Sequence, residues 1–388
     1  MATMQVDVVI VGGGLAGLAL AVALRDTRLE VALVEGRPPQ KPDGWDARIY
    51  AISPANARFL ESIGIWGHLD PARVMPVARM AIAGDTDGRL GFSAYDSGVG
   101  ELAWILEASL MQLELWESAR RQANLRLRCP ARPRALQVGP DAAELALEDG
   151  TVLSARLVIA ADGADSWTRQ AAGIAVDFHP YGQHGLVANF ATGKPHRGTA
   201  YQWFRDDGIL AWLPLPGQRM SMVWSTPQAN ATALLALPAE SLCRTVAEAG
   251  GHALGELELI TAPAAFPLRL MRAPRFVAPR VALIGDAAHA IHPLSGHGIN
   301  LGFQDAATLA AVLRERGPWN DCGALGLLRR YERARREEVA TLQTVTDGLQ
   351  RLFGNAAGPL RLMRNAGMNL TDRLPLVKDI LVRYALAS

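Results

Sequence analysis

At about 150 residues per domain, a chain of 388 residues allows two or three domains around a sizeable core, which excludes a small disulfide-stapled module. Hydrophobic residues make up 49% and charged residues 20%, the balance of an ordinary globular protein and not of a disordered chain or a multi-span membrane protein. With 39 Lys plus Arg against 38 Asp plus Glu the net charge is +1, which removes the electrostatic argument for a nucleic-acid partner.

Met1 to Asp7 lacks the basic n-region of a signal peptide. The apolar stretch Val8 to Leu24 is broken by Gly12, Gly13, Gly14 and Gly17, so neither a leader nor a span is expected and the predicted location is cytoplasmic. Val6 to Val11 is a β-branched run ending in glycines, and Leu15 to Leu24 is rich in Ala and Leu, which predicts strand, tight turn and helix. Val31 to Val34 closes on Glu35, completing a βαβ unit with parallel strands. Leu153 to Ala161, closing on Asp162-Gly163, and Val281 to Ile284, closing on Gly285-Asp286, read as further buried strands.

Between about 185 and 225 the texture becomes aromatic and alternating: Thr199 to Phe204, Ile209 to Leu215 and Met220 to Ser225 are separated by Asp-Gly and Pro-Gly turns, as in antiparallel hairpins. From about residue 300 the pattern is helical, with Leu342, Val345, Leu349 and Leu352 at helical spacing. The predicted fold class is α/β: a Rossmann-like domain interrupted by a mostly antiparallel sheet and followed by a helical C-terminus. Cys129, Cys243 and Cys322 stand far apart in no CxxC spacing and read as free thiols of a reducing compartment.

Gly12-Gly13-Gly14-Leu15-Ala16-Gly17 is a G-x-G-x-x-G between strand and helix. Gly12 suits the tight turn, Gly14 lets a pyrophosphate approach the backbone, and Gly17 lets helix and strand pack closely. The N–H groups of Leu15 and Ala16 at the helix start face the phosphates. Glu35 is placed to accept from a ribose hydroxyl, and Arg37 is a further candidate on the adenosine side. This motif predicts a dinucleotide and leaves FAD and NAD open. His289 and His292 stand three apart, but no completing ligand is nearby except Asp286, so no metal site is expected.

The segments Gly285-Asp286-Ala287-Ala288-His289 and His292-Pro293-Leu294-Ser295-Gly296-His297-Gly298-Ile299-Asn300 decide that choice. Here the chain resembles the group A flavoprotein monooxygenases of the p-hydroxybenzoate hydroxylase-like fold, and within them the ubiquinone-biosynthesis hydroxylases. The resemblance implies FAD as cofactor, with Asp286 on the ribityl hydroxyls, Pro293 beside the isoalloxazine, and Gly298, Ile299 and Asn300 at a helix start facing the flavin N1/C2 edge. A helix N-terminus stabilises the anion of reduced flavin there. Asp162-Gly163 resembles the motif serving both FAD and a transient NAD(P)H, and Arg48 the arginine near the FAD phosphates. Glu107 matches a commonly acidic position of no derived role. His297 stands where Gln is expected, which makes it and Pro293 the flavin-proximal candidates; no catalytic acid or base is named.

The resemblance further implies hydroxylation of an electron-rich ring, a prenylated phenol or quinol of ubiquinone synthesis, with NAD(P)H as transient reductant and O2 as oxidant through a flavin C4a-hydroperoxide. Alternatives are a flavoenzyme of the same fold acting on a soluble aromatic metabolite or reducing a prenyl chain, and a non-enzymatic flavin-binding subunit of a biosynthetic complex. Other ubiquinone-biosynthesis proteins are possible partners. Tyr201, Trp203, Trp212 and Met222 of the middle sheet are expected to line the substrate site, Tyr201 and Trp203 sharing one face because side chains alternate along a strand. The predicted division is 1–73, 98–178 and 268–340 for the FAD-binding domain, 74–97 and 179–267 for the substrate sheet, and 341–388 for a C-terminal helical segment. Residues 329–388 hold 11 Lys or Arg against 6 Asp or Glu, so this tail is +5 and the remainder −4, which fits a docked C-terminal helix with a solvated charged face or, alternatively, peripheral contact with an anionic membrane.

Overall fold

A computed structural model describes residues 3–291, 298–317, 319–353, 365, 367–372 and 374. Its centre is a parallel ladder in which Thr3–Val11 lies between Val152–Ala160 and Val31–Val34, with Leu125–Arg128 beyond one side and Val281–Leu283 beyond the other. Val8, Val9 and Ile10 and all of Val31–Val34 are buried, as strands of a parallel sheet covered on both faces must be. The helix Leu15–Ala23 packs on one face beside the helix Gly298–Glu315. The antiparallel strands Pro133–Val138 and Ala143–Leu147 continue from Val152–Ala160, and Ala143–Leu147 helps to cover the other face. The two helices approach closely where Gly302 meets Ala16: a Cβ on Gly302 would lie 3.3 Å from the Ala16 methyl, and one on Gly285, in the turn before Asp286, 3.2 Å from it.

The second sheet has nine strands and is mostly antiparallel. Its central run is Ala264–Arg272, Asp177–Thr192, Arg219–Pro227, Gly208–Leu215 and Thr199–Arg205, continued by Arg79–Ala83 and Arg89–Ser93. It extends past the expected limit at 267 to Arg272 and takes His289–Ala290 as an edge, because pairing with Asp177–Thr192 resumes beyond a bulge at that limit, from Pro180 opposite Arg269 to Asp177 opposite Arg272. Its back face is closed by the helices Gln228–Leu235 and Ala239–Ala249 around Phe190, Trp212, Met220 and Met222. A small sheet of Ile49–Ile52, Ala103–Glu107 and Met75–Val77 completes the fold.

The last long helix spans Leu325–Phe353 and crosses the expected boundary at 340/341. Leu328, Tyr331, Arg335, Val339, Leu342 and Thr346 are all buried at helical spacing, so one continuous stripe holds it to the core. Farther on, Asn365, Asn369 and Asp372 accept the backbone N–H groups of Gly88, Arg89 and Gly91 at 3.1, 2.9 and 3.0 Å. These bonds occupy donors along the outermost strand of the nine-stranded sheet, where an open edge would invite pairing with another chain.

Candidate active site

The two large sheets enclose a cavity of about 1090 Å³, larger than the roughly 300–1,000 Å³ of a single small-ligand pocket. One end is built by the glycine turn. Gly12 adopts φ +110°, and a Cβ there would meet the Ala161 carbonyl at 2.3 Å; one on Gly17 would meet the Gly12 carbonyl at 2.1 Å. A Cβ on Gly14 would meet no atom of the described residues within 4 Å. Gly14 begins the helix with no side-chain cap, so the first-turn N–H groups of Leu15 and Ala16 have no intrahelical acceptor where the helix opens on the cavity. This end is therefore an anion cradle with its donors in place.

Glu35 lines the same end, its Oε2 accepting the Gly13 N–H at 2.6 Å and its Oε1 the Arg37 N–H at 2.9 Å. Each oxygen keeps a lone pair for a ribose hydroxyl. The Arg37 side chain is exposed and does not line the cavity; Arg132, which the sequence reading missed, does. Arg48 lines the cavity, and among the described residues no acidic group lies within ion-pair distance of its guanidinium. Glu107 now has a role. Buried on the neighbouring strand, it accepts from Arg73 Nε at 2.7 Å and from the Asp46 N–H at 2.6 Å, while Asp46 accepts the Arg48 N–H at 2.9 Å, so Glu107 anchors the loop that presents Arg48.

Asp162 and Gly163 also line the cavity, but the Asp162 carboxylate is occupied within its own turn: it accepts from Ser166 Oγ and from the Thr168 N–H and hydroxyl, both at 2.9 Å. Asp286 opens onto the cavity. Desolvation by the surrounding protein raises its carboxyl above the ordinary carboxylate range, His289 partly offsets this and Asp305 adds to it. Gly298, Ile299 and Asn300 begin the helix whose first turn also lines the cavity. The Asn300 side chain is committed to the protein, accepting from the Ser53 N–H and Asn56 Nδ2, each at 3.0 Å, and donating to the Ala51 carbonyl at 2.8 Å. What this helix can offer a ligand is its backbone. Pro293 and His297 lie outside the described residues.

Behind Asp286 stands a buried ion network that sequence reasoning did not find. Asp305 is fully buried; its Oδ2 accepts the Gly285 N–H at 2.9 Å and His289 Nε2–H at 2.7 Å, and its Oδ1 accepts Arg335 Nε–H at 2.7 Å. Burial alone would raise the Asp305 carboxyl, but His289 and Arg335 together hold it below the ordinary range. His289 is thus a structural partner of Asp305, and among the described residues no cluster suits a metal ion.

The substrate-lining expectation is corrected. Tyr201, Trp203, Trp212 and Met222 share a face as the alternation requires, but it is the face turned away from the cavity. Trp212 and Met222 are buried there under the covering helices, with Tyr201 and Trp203 packed against them. Trp203 and Trp212 meet edge to face at 4.8 Å between centroids. Strand alternation fixes which residues go together, while helix packing decides which set faces inward. The cavity wall is the opposite set, Ala200, Gln202, Ala211, Leu213 and Val223, continued by Val187, Met80 and Phe92.

A helix N-terminus with open donors, a carboxylate, a cationic side chain and a second helix start on one cavity suit an elongated anionic ligand such as a dinucleotide. Comparison with known proteins agrees. A family model described as an FAD binding domain matches residues 5–346. The chain is 34% identical over 385 residues to the ubiquinone hydroxylase UbiL of Rhodospirillum rubrum, covering 98% of this chain and 90% of that protein. It is 33% identical to the 3-demethoxyubiquinol 3-hydroxylase of Escherichia coli, covering 100% of both. Its fold is similar to that of p-nitrophenol 4-monooxygenase PnpA from Pseudomonas putida, with a TM-score of 0.81 at 19% identity, covering 100% of this chain and 99% of that one.

Proposed function

We propose, from the premise that this chain belongs to the FAD-binding monooxygenase family and within it to the ubiquinone-biosynthesis hydroxylases, that it hydroxylates the ring of a polyprenyl phenol or quinol with NAD(P)H as reductant. The balance is ring C–H + O2 + NAD(P)H + H+ giving ring C–OH + NAD(P)+ + H2O. When bound, FAD supplies the hydride acceptor and the oxygen-activating centre, chemistry that no protein side chain carries. The protein's part is to bind, orient and keep out water. Leu15, Ala16 and Arg48 would hold the phosphates, Glu35 a ribose, and Asp286 the hydroxyls between phosphate and ring.

The observation that carries this reading is the placement of the dinucleotide cradle and an apolar sheet wall in one cavity. Val77, Met80, Phe92, Val187, Leu213 and Val223 supply a surface for a ring with a hydrocarbon tail, and such a wall excludes the water that would divert an activated oxygen. Purified protein loaded with FAD is expected to oxidise NAD(P)H faster when a short-chain prenylated phenol is added, and to release the hydroxylated ring. NAD(P)H oxidation indifferent to every prenylated phenol would overturn the proposal.

Access to such a substrate accounts for the basic tail. No helix among the described residues is long and apolar enough to cross a membrane. Leu370 is nevertheless 60% exposed and Leu374 42% exposed in a tail of net +5. We infer peripheral contact with an anionic bilayer. Sedimentation with anionic vesicles that weakens as salt rises is the expected outcome; a protein that stays in the supernatant at low salt contradicts it.

A further inference from the structure

The cavity wall contributed by the nine-stranded sheet is apolar but for one side chain. Across the sheet, Gln202 stands opposite Ile82 on one side and Ala211 on the other; Ala211 pairs with Val223, and Val223 with Val187. Gln202, Ala211, Val223 and Val187 line the cavity, and Gln202 is the polar member of the row. Its residue is 6% exposed, more than nine-tenths buried. Among the described residues its side-chain amide takes part in no hydrogen bond, and its polar atoms are not sealed inside the protein but open to the cavity. An amide in an apolar wall that the protein itself leaves unpaired is a group placed for a ligand.

We propose that the Gln202 amide hydrogen-bonds the ring oxygen of the substrate and thereby sets which ring carbon is hydroxylated. The inference rests on the proposed hydroxylase reading for the identity of that ring. An amide offers both a donor and an acceptor, so it can serve a phenol, a quinol or an alkoxy oxygen. The small Ala211 beside it leaves room for the ring to lie against the sheet. A site built to hydrogen-bond a hydroxyl discriminates strongly against the analogue that lacks it, because its own buried polar group is then left unpaired. Gln202 is on this account a specificity-determining residue.

The test uses FAD-loaded protein, 2-geranylphenol and geranylbenzene, followed first by perturbation of the flavin absorbance without NAD(P)H and then by turnover. Wild type is expected to bind the phenol at least about tenfold more tightly than the hydrocarbon. Gln202→Met keeps length and shape without the amide; it should keep FAD content and melting temperature, bind both ligands alike, and scatter hydroxylation over several ring positions. Wild-type binding that does not distinguish the two ligands overturns the proposal even if the variant fails to fold. Unchanged discrimination, kcat/KM and ring position in Gln202→Met overturn it while leaving the hydroxylase reading intact. A wild type that hydroxylates no prenylated phenol, yet distinguishes phenol from benzene through Gln202, sinks the hydroxylase reading and with it the control of ring position, while supporting the hydrogen bond itself.

Discussion

Gly14→Val is expected to weaken FAD binding by about 100-fold or more, equivalent to roughly 2.8 kcal/mol, while the apoprotein still folds, losing no more than about 1 kcal/mol to a poorer helix N-cap. The reason lies in what surrounds each glycine. Gly14 has φ −73° and ψ 178°, a conformation open to every residue, and no atom of the described residues lies within 4 Å of a Cβ placed there. A side chain would fill only the space in front of the first-turn donors. Gly17→Ala should do the opposite, since its Cβ would stand 2.1 Å from the Gly12 carbonyl and force helix and strand apart. Equilibrium titration of apoprotein with FAD and thermal melts of both variants separate the two. Tight FAD binding by Gly14→Val would mean that the phosphates do not lie against this turn.

Asp305→Ala is expected to cost about 3–5 kcal/mol of stability, the usual loss when one partner of a buried charge network is removed. Arg335 at 3% exposure and His289 at 2% would then remain buried without their shared carboxylate, and the Gly285 N–H would lose its acceptor. Because Gly285 immediately precedes Asp286, FAD affinity should fall as well. Urea denaturation of the apoprotein measures the first effect and FAD titration the second. The network also predicts a pH dependence. Asp305 is held below the ordinary range in the folded protein, so its contribution is complete above an unfolded pKa of roughly 3.9 and is lost as pH falls through the lower folded value. Asp305→Asn should remove that acid-side component, and a variant losing stability on acidification as steeply as wild type would contradict it.

What could be read from the residues was whatever depends on neighbours in the chain. The strands Val6 to Val11 and Val31 to Val34, the helix after Gly14, and the acid at Glu35 follow from local pattern and turn chemistry, and the structure has Thr3–Val11, Leu15–Ala23 and Val31–Val34 there. Residues joined only by tertiary packing were not legible. Arg335 reaches Asp305 across 30 positions, and Glu107 reaches Arg73 across 34, with no spacing that announces either pair. The aromatic face of Thr199–Arg205 was misassigned for a related reason. Alternation separates Tyr201 and Trp203 from Ala200 and Gln202, but only the helices Gln228–Leu235 and Ala239–Ala249 determine which set is covered and which faces the cavity. Large aromatics invite a ligand reading, yet here they make the core, and the sheet's wall of the cavity is left to the opposite set, Gln202 among them.

The most direct test follows the oxygen. FAD-loaded protein supplied with NAD(P)H, a short-chain prenylated phenol and 18O2 in ordinary water should release a product carrying one 18O atom in a new ring hydroxyl. Hydroxylated product that draws its oxygen from water, or NAD(P)H consumption that yields only hydrogen peroxide with the ring unchanged, would contradict the assignment of this protein as an aromatic-ring hydroxylase.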